Sequence, residues 1–129
     1  MDSAREEEIK QIICTYRSDS CAEDYFNKLQ DLGNNLRKSE RINQLCSFLN
    51  ALGNKDRLTI VKVLQEGEQC VCELEAILDK SQPSISHHLR NLERIGLIRG
   101  WKKGKFTFYE LRKEEFNKYS DIFHKEFNF

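Results

Sequence analysis

Apolar residues recur along this chain at helical spacing for most of its length and switch to alternation in one short stretch. Ser3 to about Tyr16 reads as a helix with a narrow stripe of Ile9, Ile12 and Ile13, broken by Arg17-Ser18-Asp19-Ser20. Ser20 and Glu23 stand at capping-box spacing, so a second helix is expected to begin there, carry Tyr25, Phe26 and Leu29, and end at Gly33. Ile42, Leu45, Cys46, Leu49 and Leu52 mark one face of a helix that stops at Gly53, which would bury Cys46 as a small hydrophobe. Asp56 to Glu66 repeats the pattern with Leu58, Ile60, Val61 and Leu64 and closes at Gly67 in the C′ position. Val71, Leu74, Ile77 and Leu78 make a short helix ending near Asp79-Lys80.

Ser81-Gln82-Pro83-Ser84 is a helix start, with Ser81 as N-cap and Pro83 in the first turn, where its missing N–H costs nothing. Ile85, Leu89, Leu92 and Ile95 form the buried face of that helix and Gly96 ends it. Alternation then takes over: Leu97 to Trp101, a basic turn Lys102-Lys103-Gly104-Lys105, and Phe106 to Tyr109 predict a two-stranded hairpin. A last helix from about Lys113 shows Phe116, Tyr119, Phe123 and Phe127 on one side. Two short helices joined by a tight turn and followed by a hairpin with a basic tip predict a mainly α fold with a small β-hairpin wing, a winged helix-turn-helix. Residues 1–38 are expected to form a helical arm and residues 39–129 the winged domain.

Composition changes the picture in two places. The 129-residue chain has no formal net charge, which by itself speaks against a polyanionic partner. Residues 80–105, however, hold Lys80, Arg90, Arg94, Arg99, Lys102, Lys103 and Lys105 against Glu93 alone, an electrostatic footprint for phosphate within an otherwise acidic chain. No apolar run approaches the ~20 residues that cross a bilayer, and the acidic start Met1 to Glu8 lacks a signal-peptide core. The expectation is a cytoplasmic protein with no membrane partner. In that reducing setting the five cysteines (14, 21, 46, 70 and 72) point to metal binding, redox sensing or burial rather than to a disulfide framework.

A helix in the major groove needs short polar or basic side chains on its exposed N-terminal face. Gln82, Ser84, Ser86, His87, Arg90 and Asn91 occupy that face, and Lys102, Lys103 and Lys105 at the wing tip are the natural phosphate or minor-groove contacts. His87 and His88 are adjacent, so on a helix they point about 100° apart and do not chelate one ion; one is expected to face DNA and the other to pack.

Residues 50–60 (Asn-Ala-Leu-Gly-Asn-Lys-Asp-Arg-Leu-Thr-Ile), Cys70-Val71-Cys72-Glu73-Leu74, and Ser81-Gln82-Pro83-Ser84-Ile85-Ser86-His87-His88-Leu89 followed by Leu92 and Gly96-Leu97-Ile98 resemble the ArsR/SmtB family of metal-responsive winged-helix repressors. The likeness runs from about residue 40 to 111. It implies a homodimer that sits on a palindromic double-stranded DNA operator and leaves it on binding an inducer, with the first and last helices building the dimer interface.

Thiolates that share one metal lie roughly 4 Å apart, given metal–sulfur bonds of about 2.3 Å. Cys70 and Cys72 meet this if they sit at the start of a helix; in mid-helix, residues two apart face opposite ways. Cys14 and Cys21 meet it only if the chain bends at Ser18-Asp19-Ser20. The resemblance adds a branch in which cysteines of an N-terminal arm join the Cys-x-Cys pair, implying Cys70, Cys72, Cys14 and Cys21 as ligands for cadmium, lead, zinc, bismuth or arsenic(III). A third cysteine of the arsenic type is replaced by Glu75, and the zinc-type site of the last helix is reduced to Asp121 and His124. Two other functions stay open: a thiol-redox regulator in which Cys14 or Cys21 forms a disulfide with Cys70 or Cys72, and a winged-helix protein–protein module. No glycine-rich phosphate loop or cysteine–histidine pairing suggests an enzyme.

Overall fold

The computed structural model describes residues 1–17 and 22–128, which fall into two compact units, Met1–Ile42 and Asn43–Phe129. Cys21 and the capping residue Ser20 lie outside the described residues.

The first unit is a helical pair. Helix α1 (Ser3–Tyr16) starts where the Asp2 carboxylate accepts the Arg5 N–H at 2.8 Å. Helix α2 (Ala22–Lys38) runs five residues beyond Gly33, because a glycine inside a helix costs only ~1 kcal/mol and Leu36 keeps the apolar period going. Ile13 and Phe26 are buried between them, and Lys10 ties the pair by an ion pair to Glu23 at 2.7 Å.

The second unit carries α3 (Glu40–Leu52, which begins just before it), α4 (Lys55–Glu66), β1 (Gln69–Cys70), α5 (Val71–Leu78), α6 (Gln82–Arg94), β2 (Ile98–Lys103), β3 (Phe106–Leu111) and α7 (Lys113–Glu126). Its core is Phe48, Ala51, Ile60, Leu64, Leu74, Ile85, Leu89, Leu92 and Leu97, contributed by α3 to α6 and the start of the wing. Helix α4 is capped by Asn54, whose side-chain oxygen accepts from Asp56 N and Arg57 N, and Gly67 leaves its C-terminus with extended backbone. The tight turn between α5 and α6 passes through Asp79 in the left-handed conformation, which short polar side chains tolerate.

Three departures from the sequence reading have physical causes. Helix α3 buries Leu45, Phe48 and Ala51, so its inner face is rotated from the expected stripe; Cys46 and Leu49 are exposed. The wing is a three-stranded antiparallel sheet of order β1-β3-β2, because Gln69 and Cys70 pair with Tyr109 and Phe108 on the free side of β3. A two-residue strand has no alternation to detect. Finally, the aromatic stripe of α7 divides: Phe116 and Tyr119 pack on Phe48 at ring-centroid distances of 5.4 and 4.8 Å, whereas Phe123 and Phe127 are exposed. Among the described residues no helix is long and apolar enough to cross a membrane.

Candidate nucleic-acid interface and thiol site

Helix α6 begins at Ser81, whose hydroxyl accepts the Ser84 N–H at 3.4 Å, and buries Ile85, Leu89 and Leu92 almost completely. Those contacts turn the opposite face outward. Gln82, His87 and Arg90 are exposed, and Ser84, Ser86 and Asn91 are half-buried beside them. Asn91 Nδ2 lies 3.3 Å from His87 Nε2 and donates to the His87 carbonyl at 3.2 Å. His88 turns inward and is 8 % exposed. Its Nδ1 is 3.3 Å from Arg57 Nη1 and its Nε2 is 3.5 Å from Asp56 Oδ2, so a neutral ring protonated on Nε2 satisfies both neighbours. Burial first, and the Arg57 charge second, hold His88 below its ordinary pKa.

Arg57 was not visible as a functional residue in the sequence. Its Nε donates to the Ala51 carbonyl at 2.7 Å and its Nη2 to the Asn50 carbonyl at 3.3 Å, which closes the C-terminus of α3. The same guanidinium reaches His88, so α3, α4 and α6 meet at one cation and the outward face of α6 is held at a fixed angle on the core.

The wing presents Lys102, Lys103 and Lys105 as exposed cations around Gly104, which turns the chain at φ 64°. Arg99 is partly neutralised by Glu110, which accepts from its Nε at 3.0 Å and its Nη2 at 2.6 Å. Trp101 and Phe108 stack across the strands at 6.2 Å, and the Lys103 ammonium sits 5.6 Å from the Phe108 ring.

The thiol pair stands at the helix start that the spacing required. Cys70 is the N-cap residue of α5, in extended backbone conformation, and Cys72 follows in its first turn. The two sulfurs are 2.9 Å apart, with Cys70 buried and Cys72 exposed. The Glu73 carboxylate accepts the Cys70 N–H at 2.9 Å, one half of a capping box in which cysteine stands where serine or threonine usually does. The Cys70-x-x-Glu73 spacing was the available signal for that carboxylate. The hydrogen bond with Cys72, with burial adding, pushes the Cys70 thiol up to about 11, while the bond from the Cys70 N–H lowers Glu73. A pocket of about 280 Å³ opens beside the pair, lined by Cys72 and Glu75 on α5, Gln82 at the start of α6, and Lys105 and Phe106 on the wing.

Two further ligands were expected, Cys14 and Cys21. Cys14 is exposed on α1 in the first unit, and Cys21 lies outside the described residues. Among the described residues no group of three or more His, Cys, Asp or Glu is arranged to hold a metal ion. Two thiols therefore meet the donor chemistry of a soft ion only in part. Tetrahedral bonds of about 2.3 Å put sulfurs about 3.8 Å apart, so Cys72 would have to swing outward by roughly 0.9 Å.

Comparison with known proteins places residues 54–99 in the family model for bacterial regulatory proteins of the arsR family. An uncharacterized HTH-type transcriptional regulator from Methanocaldococcus jannaschii is 39% identical over 71 residues, covering 54% of this chain and 80% of that protein. The arsenical resistance operon repressor of Escherichia coli K12 is 49% identical over 61 residues, covering 46% of this chain and 52% of the repressor. Among solved structures, HlyU from Vibrio cholerae matches with a TM-score of 0.59 at 30% identity, covering 69% of this chain and 97% of HlyU. The chain spans 44–56% of the length of several curated arsenic- and cadmium-resistance regulators that it matches.

Proposed function

The chain belongs to the ArsR family of winged-helix, DNA-binding transcription regulators, and on that premise we propose that it is a homodimeric repressor released from a palindromic operator when a thiophilic metal or metalloid binds Cys70 and Cys72. The observation that carries this reading is the sulfur pair itself, 2.9 Å apart at the start of α5, with Cys72 lining the same pocket as Gln82. An ion that opens the pair moves Cys72 on the wall of a pocket whose other walls are the first residue of α6 and the wing. Ligand binding thereby favours a protein conformation in which the outward face of α6 and the lysines of the wing no longer fit successive grooves.

In this reading Gln82, Ser84, Ser86, His87 and Arg90 contact bases and nearby phosphates, and Lys102, Lys103 and Lys105 contact phosphates. The arm of residues 1–38 supplies Cys14 and Cys21 to complete the thiolate set around cadmium, lead, zinc, bismuth or arsenic(III), the arm and pair together making four sulfur donors. Relatives named for arsenical and cadmium resistance support an inducer of this class.

The test is operator release. DNA from the gene's own promoter region is bound by the protein and titrated with cadmium, lead, zinc and arsenite. Cys70→Ser and Cys72→Ser keep DNA binding and lose the release; full response in both variants would show that the pair is not the sensor. A thiol-redox reading on the same scaffold is favoured by the exposure of Cys14 and Cys72 as free thiols. It predicts release by oxidant, reversed by reductant and indifferent to chelator.

A further inference from the structure

We infer that Phe106, at the tip of the wing, is a specificity-determining residue for DNA: its ring enters the minor groove, packs on deoxyribose and base edges, and selects against a narrow A-tract groove there. The inference rests on the wing meeting DNA, as proposed above, and is independent of what the thiols sense. Three observations converge.

The first is placement. Strands β2 and β3 pair as far as Lys103 and Phe106, and only Gly104 and Lys105 lie beyond that pair. Directly opposed residues share a face of an antiparallel sheet, so Phe106 stands on the face of Trp101, Lys103 and Phe108. The other face, with Ile98 and Tyr109, packs on the core. Trp101 and Phe108 stack on each other. Phe106 has no ring partner among the described residues and is 57% exposed.

The second is charge. Lys102, Lys103 and Lys105 surround the ring as exposed cations, and among the described residues none of these lysines is in an ion pair. Arg99, farther from the tip, is paired with Glu110 at 2.6 Å. Unopposed positive charge is thus concentrated where the apolar ring projects. That arrangement complements a minor groove, whose two phosphate rims attract the lysines while its floor offers sugars and base edges to the ring.

The third is direction. Phe106 and Lys105 line the same pocket as Gln82, the first residue of α6. The ring therefore lies on the side of the wing nearest the start of the reading helix. DNA that takes α6 into its major groove brings the adjacent minor groove to the wing tip.

Ring and lysines pull the choice of sequence in opposite directions. A-tracts have a narrow minor groove with an enhanced negative potential, so lysines alone favour them. An aromatic ring needs room in a groove that is only about 6 Å wide in ordinary B-DNA, and a narrower one shuts it out. The contact of the ring is uncharged and releases no counterions, so it adds affinity without adding salt dependence.

The experiment uses the full chain and duplexes from the gene's own promoter region, with hydroxyl-radical cleavage to locate the sugars that the wing protects. Phe106→Ala should lose that protection and still shield guanine N7 in the major groove from dimethyl sulfate. It should bind about tenfold more weakly, with the slope of log affinity against log salt unchanged, and Phe106→Leu should keep part of the affinity. Replacing the sequence under the wing by an A-tract should weaken binding of the wild type and strengthen binding of Phe106→Ala. Unaltered affinity and footprint in Phe106→Ala, a reduced salt slope, or the same response of both proteins to the A-tract would each overturn the inference. So would a changed oligomeric state in sedimentation with DNA affinity intact, which would assign the ring to a protein interface. Wild-type protein that binds no promoter duplex would sink this inference and the regulator reading together. Tight wild-type binding that Phe106→Ala leaves untouched would sink this inference alone.

Discussion

Gly100 lies in β2 directly opposite Tyr109 of β3, and a Cβ built there would stand 2.7 Å from Tyr109 Cε1, 3.0 Å from Cζ and 3.1 Å from Cδ1. The obstacle is the edge of a rigid ring, half-buried and packed against the core, rather than the far end of a flexible chain. Gly100→Ala therefore forces ring or strand to move by about 0.7 Å to reach an ordinary contact of 3.4 Å. Overpacking of this kind costs about 1–3 kcal/mol, and replacing a strand glycine returns about 0.5–1 kcal/mol of chain entropy. The net expectation is a loss of about 1.25 kcal/mol, or roughly 5–10 °C in melting temperature for a unit of this size. Thermal melts of the wild type, Gly100→Ala, Tyr109→Leu and the double variant form a cycle. With the ring gone, Gly100→Ala should be neutral or mildly stabilising. An undiminished penalty in the Tyr109→Leu background, or no penalty in the wild type, would refute the claim that the ring is what requires glycine there.

Three other outcomes are expected. The unfolded chain takes up a proton on His88 as pH falls through about 6.5, whereas the folded ring stays neutral to a lower pH. Its contribution is thus full above that pH and is lost below it, so melts from pH 7.5 to 5.5 should decline less steeply in His88→Gln. Ser81→Ala removes the acceptor for the Ser84 N–H and should cost about 0.5–1 kcal/mol in denaturant unfolding, with Ser81→Asp restoring it. Each of Lys102→Gln, Lys103→Gln and Lys105→Gln that removes a phosphate contact should lower the slope of log affinity against log salt by about 0.9; three unchanged slopes would show that DNA does not meet the wing tip.

The helices and the wing were legible because their signals are local. The Ser81 cap, the inward spacing of Ile85, Leu89 and Leu92, and the basic turn before Phe106 each lie within a few residues of sequence, and each has its counterpart in the fold. What escaped depends on long-range contacts. Arg57 acts on carbonyls six and seven residues back and on a ring thirty-one residues ahead, and Gly100 is required by a side chain on another strand. The rotation of α3 follows from Phe48 stacking on Tyr119, a partner no periodicity names. At the thiol pair the spacing correctly demanded a helix start, but the pocket that joins Cys72 to Phe106 exists only because β1 brings the start of α5 alongside β3.

The two-residue strand that ends in Cys70 also bears on time. Its pairing with Phe108 and the Glu73 bond hold the start of α5 in place before any ligand arrives, so capture needs no folding step. Under the proposed sensing role, the exposed Cys72 would meet an incoming ligand first and the buried Cys70 would close on it second. Departure would reverse both bonds, with the inner one shielded from competing thiols. A sensor built this way would respond quickly to the appearance of its signal and slowly to its removal, and so keep a short record of exposure.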